Sequence, residues 1–180
     1  MIPKKFFLTK GVGVHKDRLQ SFELALREGG IAICNIVNVS SILPPYCKMI
    51  DKSEGLKQIK LGQITYCVLS KNSTNEPRRS ISAAIGIAVP SEERLYGYIS
   101  EYHSYGEEEK EAGDYAEDLA ATMLATTLGI DFDPEKAWDE KKEVYKASGK
   151  IFETTSICQT ATGKKDFWVT VIAATVFLEE

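Results

Sequence analysis

A chain of 180 residues, 43% hydrophobic and 27% charged, fits one soluble globular domain with a real core, or at most two small halves. Its net charge of −4, with no basic stretch longer than Arg78-Arg79, argues against a nucleic-acid partner. Four cysteines without a Cys-x-x-Cys pair, and only two histidines, indicate reduced core thiols rather than a Cys/His metal site.

Lys4-Lys5 is followed only by Phe6-Phe7-Leu8, too short a run for a signal peptide, and no segment approaches the roughly 20 apolar residues of a membrane span. The expected location is the cytoplasm.

Taken in order, residues 5–9 read as a first strand, and Gly11-Val-Gly13 as a loop. Asp17 caps a helix that runs to Arg27 or Glu28 and stops at Gly29-Gly30, with Leu19, Phe22 and Leu26 as its buried stripe. Glu23 falls within that stripe, where an unpaired carboxylate is costly, so it either reaches water at the edge or meets a cation. Residues 31–39 form a second strand. A short edge strand is expected at 48–50, a helical turn at 53–59 and a strand at 64–69, followed by a polar loop over 71–79. Residues 81–89 make a strand of small side chains that lets another layer approach closely, and 95–102 the next. The longest helix spans 106–128, its start weakened by Gly113 so that order can begin as late as Asp114, with Ala116, Ala120, Leu124 and Leu128 on one face. A short helical segment is expected at 134–138. Strands at 150–158 and 167–178 close the chain, the last apolar on both faces and therefore central. The pattern is α+β in layers, without repeats or linkers.

The most informative stretch is Asn35-Ile-Val-Asn-Val-Ser40-Ser41-Ile-Leu-Pro44-Pro45. Its β-branched residues favour a strand, and the two prolines remove backbone donors and fix φ, so regular pairing stops by Leu43. Adjacent serines at a strand end are common turn formers. They also place a hydroxyl nucleophile beside a peptide bond that this arrangement is expected to strain.

The stretch resembles the self-cleavage site of the pyruvoyl-dependent arginine decarboxylases, in which a Ser-Ser-Ile-x-Pro-Pro segment is cut between the serines. The resemblance covers nearly the whole chain. It implies a four-layer αββα sandwich, a single domain over residues 1–180 assembled as trimers or dimers of trimers, with sites between subunits. It also implies cleavage between Ser40 and Ser41 into chains 1–40 and 41–180, with Ser41 becoming a covalent pyruvoyl cofactor and no metal or pyridoxal phosphate required. Asn35 matches the family's upstream asparagine, Glu101 its proton donor, and Glu23 a substrate-side aspartate, here one methylene longer.

The implied chemistry starts with Ser41 Oγ attacking the Ser40 carbonyl, which calls for a fixed donor at that oxygen; the Asn35 amide is suited to it. The ketone then formed condenses with an amino acid's amine as a Schiff base, CO2 departs, and an acid such as Glu101 reprotonates the carbon. Taken alone, Asn35 reads as a strand-end hydrogen-bonder and Glu101 as a solvated carboxylate. The implied reaction converts L-arginine to agmatine, with Glu23 toward the guanidinium. The same chemistry on another amino acid, or a trimeric homologue that never cleaves, stay open. A Ser or Cys hydrolase lacks a nucleophile motif. Tyr102, His103 and Tyr105 are given no role.

Overall fold

The structure, a computed structural model, describes residues 2–131 and 133–179. Its strands and helices follow in the order β1 (Lys5–His15), α1 (Arg18–Gly29), β2 (Asn35–Asn38), β3 (Ile42–Leu43), β4 (Lys48–Met49), α2 (Lys52–Gln58) and β5 (Ile64–Thr74). The second half continues with β6 (Ser80–Pro90), β7 (Gly97–Tyr105), α3 (Glu109–Leu128), α4 (Trp138–Ser148), β8 (Ile151–Thr162) and β9 (Trp168–Leu178).

One sheet has the strand order β2-β5-β9-β1-β4 and the other β3-β7-β6-β8. The two lie face to face: β5, β9 and β1 of the first pack on β6, β7 and β8 of the second. Helix α1 covers the outer face of the first sheet and α3 that of the second. Among the described residues the result is a single α+β domain of two sheets and four helices. Phe6, Leu43, Val68, Ile85, Ile87, Ile99, Ala173 and Phe177 form the core between the sheets. Phe7, Ala25, Ile31, Ile172 and Ala174 form a second core beneath α1, and alanines of α3 pack on β6 in two further clusters. Strand β9 is buried along nearly its whole length in the middle of its sheet, as a strand apolar on both faces should be.

Sequence patterning located most elements but misjudged how α1 packs. Asp17 does cap it, accepting from the Gln20 N–H at 3.0 Å, and Gly30 closes it in the left-handed region at φ 83°. The expected stripe of large residues is not the buried one, however. Leu19 is 75% exposed, Phe22 and Leu26 are half-buried, and the contact face is Ser21, Ala25 and Gly29. Small residues win because the helix lies directly on β1, where Gly11 and Gly13 belong to the strand rather than to a loop. A Cβ on Gly13 would stand 2.0 Å from the Ser21 carbonyl oxygen. The Gly-x-Gly pair is thus a packing device. The same logic holds on the other side, where a Cβ on Gly86 of β6 would lie 2.0 Å from the Ala116 carbonyl oxygen of α3.

Other boundaries shift. β1 runs on to His15, β5 extends through the expected polar loop to Thr74, and β2 is confined to four residues. Helix α3 begins at Glu109, where Glu108 and Glu111 form a reciprocal capping box. Helix α4 was not expected, and the turn before it replaces the expected segment at 134–138. It lacks a side-chain cap and is highly charged, and tertiary contacts hold it: Lys141 pairs with Asp118 of α3 at 2.9 Å, both shielded from solvent, and Tyr145 is buried. No helix among the described residues is long and apolar enough to cross a membrane.

Candidate active site

The Ser40–Ser41 peptide lies where the chain passes from one sheet to the other. β2, just before it, is the edge strand of the five-stranded sheet, and β3, just after it, is the edge strand of the four-stranded sheet. Each flank is fastened to its own sheet. The Val39 N–H donates to the Cys67 carbonyl of β5 at 2.9 Å, and the Ser41 carbonyl accepts the Ile99 N–H of β7 at 2.7 Å. Between them, the Ile42 N–H donates back to the Ser40 carbonyl at 3.0 Å. An N–H reaching the carbonyl two residues earlier defines a γ-turn centred on Ser41. Because Ser41 is not among the residues with positive φ, the turn is of the common inverse type. The junction is not in the left-handed region: the nearest residue there is Tyr46, at φ 61°.

Register places Glu101. Ile42 pairs with Tyr98 and Leu43 with Gly97 in the antiparallel β3–β7 ladder. Continuing it sets Ser41 opposite Ile99, in agreement with the hydrogen bond between them. Side chains two apart in a strand share a face, so Glu101 lies on the same side of β7 as Ile99, which packs with Leu43 between the sheets. Glu101 is one strand period beyond Ser41's partner, roughly 7 Å along β7. Glu101 remains open to solvent, yet partial desolvation raises its carboxyl above the usual carboxylate range, while the charge of His103 pulls against it. Cys67 lies close by. Burial, with Glu101 and Cys34 adding to it, pushes its thiol up to about 12, and its Sγ contacts Asn38 Oδ1 at 3.5 Å.

The other two expected residues are elsewhere. Asn35 opens β2, up to roughly 16 Å of extended chain before Ser40. Its side-chain amide donates to the Gly62 carbonyl at 2.8 Å, so the donor on the Ser40 carbonyl in this structure is the Ile42 N–H and not Asn35. Asn35 lines a separate hollow of about 580 Å3, with Phe22, Leu26, Asn38 and Lys71. Glu23, next to Phe22 on α1, binds Arg27 Nη2 at 2.6 Å and accepts from Gln20. It thus meets a cation, one supplied by its own helix. Ser40 lines a different, largely apolar hollow of about 460 Å3 with Pro3, Val39, Ile42, Pro44, Tyr66 and Phe177. Within a single chain, register relates Ser41 to Glu101, Ser40 borders its own hollow, and Asn35 and Glu23 lie apart near α1.

Sequence reading missed the two main-chain donors, Ile42 and Ile99. Backbone N–H groups leave no mark on residue identity; only the β3–β7 register discloses them. Among the described residues no cluster of His, Cys, Asp and Glu is arranged to hold a metal.

Comparison with known proteins agrees with the resemblance carried by the Ser-Ser stretch. A sequence model of the pyruvoyl-dependent arginine decarboxylases matches residues 5–180. The pyruvoyl-dependent arginine decarboxylase 2 of Methanosarcina mazei is 64% identical over 179 residues, covering 99% of this chain and 98% of its own. The pyruvoyl-dependent arginine decarboxylase of Methanococcoides burtonii is 60% identical over 179 residues, covering 99% of both. A probable pyruvoyl-dependent arginine decarboxylase of Chlorobaculum tepidum is 57% identical over 177 residues, 98% of each chain. At this identity and coverage, the chain belongs to the pyruvoyl-dependent arginine decarboxylase family.

Proposed function

We propose that the chain cuts itself between Ser40 and Ser41, carries a pyruvoyl group at residue 41, and decarboxylates L-arginine to agmatine. Beyond family membership, the observation that supports this most is the hold on the junction: a peptide bridging two sheets, with the carbonyls on both sides of Ser41 each accepting a main-chain N–H.

In the cut, a bond forms from Ser41 Oγ to the Ser40 carbonyl carbon, the C–N bond breaks, and the hydroxyl proton passes to the nitrogen. The resulting ester eliminates across Cα–Cβ of residue 41 and releases the Ser40 carboxylate. Water then replaces the nitrogen as ammonia, leaving the α-keto group. Residues here suit that group, because the Ser41 carbonyl is held by β7 through a bond on the far side of the cut. A pyruvoyl group supplies a ketone for the substrate amine and a conjugated carbonyl that takes up electrons when CO2 leaves.

Glu101 is the proton donor in this reading. A carboxyl whose partial desolvation favours the neutral form keeps its proton to higher pH, which is what donation to carbon requires. Asn35 and Glu23, remote from Ser41 in their own chain, complete the site from a neighbouring subunit. We therefore propose that the four-layer αββα domains assemble as trimers or dimers of trimers. Glu23 then exchanges Arg27 for the substrate guanidinium.

Intact mass under denaturing conditions tests the cut: two chains are expected, 1–40 and 41–180, the larger with a blocked N-terminus. CO2 release measured across a set of amino acids tests the substrate. Release from another amino acid but none from arginine would overturn the arginine assignment, and an unbroken chain would overturn the whole reading.

A further inference from the structure

We infer that the two main-chain donors around Ser41 divide the work, Ile42 N–H serving the cut and Ile99 N–H serving turnover. The inference rests on the proposed role of Ser41.

Negative charge develops on the Ser40 oxygen while Ser41 Oγ adds to its carbonyl. The Ile42 N–H is already on that oxygen at 3.0 Å, held there by the turn. Breaking the Ser40–Ser41 bond separates donor from acceptor, so this contact acts only once. The Ile99 bond has the opposite fate. It joins residue 41 to β7, both in the chain that begins at Ser41, and the Ile42–Tyr98 and Leu43–Gly97 pairs beside it survive the cut. A pyruvoyl group at residue 41 would take up, at its amide carbonyl oxygen, the electron pair left when CO2 departs, until a proton returned to carbon. A donor 2.7 Å from that oxygen stabilises the charge as it appears. The donor is also well fixed: Ile99 is fully buried, pairs with Ile87 of the central strand β6, and needs no reorganisation. In an apolar setting such a bond is worth more than in water.

Two backbone substitutions separate the roles while keeping the side chains. N-methylisoleucine at 42 removes that N–H and keeps the amide; the α-hydroxy acid analogue of isoleucine at 99 replaces the N–H by an ester oxygen. Cutting is followed by intact mass, and turnover of arginine is expressed per cut chain. At 42, cutting should slow on the order of 10²-fold, the usual cost of one oxyanion donor, with turnover per cut chain retained. At 99, cutting should proceed at the native rate while kcat falls by a similar factor. In the uncut Ser41→Ala protein, the infrared stretch of a 13C-labelled residue 41 carbonyl should move to higher frequency with the ester at 99. Native kcat with that ester, no infrared shift, or equal losses of cutting and turnover from both substitutions would overturn the division of labour. Absence of cutting in the unmodified protein would instead overturn the proposed function.

Discussion

Cleavage at Ser40–Ser41 should leave the two chains bound together, and Phe7→Ala should separate them. The small chain would carry β1, α1 and β2. Along β1 every residue from Lys5 to His15 pairs with β9 of the large chain, and α1 packs over both strands. Phe7 is the deepest apolar anchor of that interface. It is fully buried in the core beneath α1, and it lies so close to α2 that a Cβ on Gly55 would meet its ring at 2.2 Å. Truncating a buried Phe to Ala costs roughly 3–5 kcal/mol, transfer and cavity terms together. In the uncut Ser41→Ala protein the same truncation is a loss of folding stability. Once the chain is cut it is a loss of association, about tenfold for each 1.4 kcal/mol and so roughly two to nearly four orders of magnitude. Native mass spectrometry of cut protein over a dilution series reads this directly. The native sequence should stay paired at concentrations where Phe7→Ala releases a 40-residue peptide. The reasoning fails if cut Phe7→Ala dissociates over the same range as the native sequence while the uncut variant is destabilised as expected. It would then follow that α1 and β2, not β1, hold the halves together.

Ser41→Ala should yield one uncut, inactive chain, and normal processing of that variant would place the nucleophile elsewhere. Glu101→Gln should process at least in part but turn over at least 10²-fold more slowly, in the range of lost acid catalysis. The native enzyme should lose kcat as pH rises through the raised Glu101 pKa, because donation needs the protonated form; a variant retaining both rate and that alkaline limb would exclude Glu101. Gly86→Ala should destabilise the fold by about 1–3 kcal/mol or more, since its Cβ meets backbone and not a yielding side chain, and an unchanged unfolding midpoint would refute the tight α3–β6 approach. Buried Cys67 keeps its proton to about 12, while an unfolded thiol ionises near 9. Its contribution is thus present below pH 9 and declines as pH rises from there toward 12, and Cys67→Ala should flatten the alkaline limb of stability.

Much of this was legible in the residues, and what was not has physical causes. Pro44 and Pro45 end pairing where their missing donors require: β3 stops at Leu43. The small residues of β6 and the alanine face of α3 foretold close packing, and Gly86 against Ala116 delivers it. The α1 stripe was misread because hydrophobicity counts large side chains, whereas proximity to β1 selects small ones; Ser21 and Ala25 are buried and Leu19 is not. Helix α4 escaped notice because its hold comes from Asp118 and from burial of Tyr145, partners outside the segment. For the site, residue types singled out Ser41 and Glu101, and register relates them. It could not reveal that Asn35 would spend its amide on Gly62, since that carbonyl comes within reach only through parallel pairing of β2 with β5.

The location of the junction limits what a cut can cost. Breaking a peptide inside either sheet would leave ladder hydrogen bonds on both sides without a continuous strand to support them. Between sheets, each new end already belongs to a ladder of its own: β2 on β5, β3 on β7. Of the contacts spanning the scissile bond, the Ile42–Ser40 hydrogen bond is lost, and a single net hydrogen bond is worth about 0.5–1.5 kcal/mol. The β1–β9 ladder, far from the proposed cut in sequence, would carry the union of the two chains. The proposed cleavage could therefore be completed within a folded core, and the new N-terminal residue would stay fixed through its carbonyl to Ile99. A site proposed to break its own chain and then act at the new end would need both properties in one place, and the passage from β2 to β3 combines them.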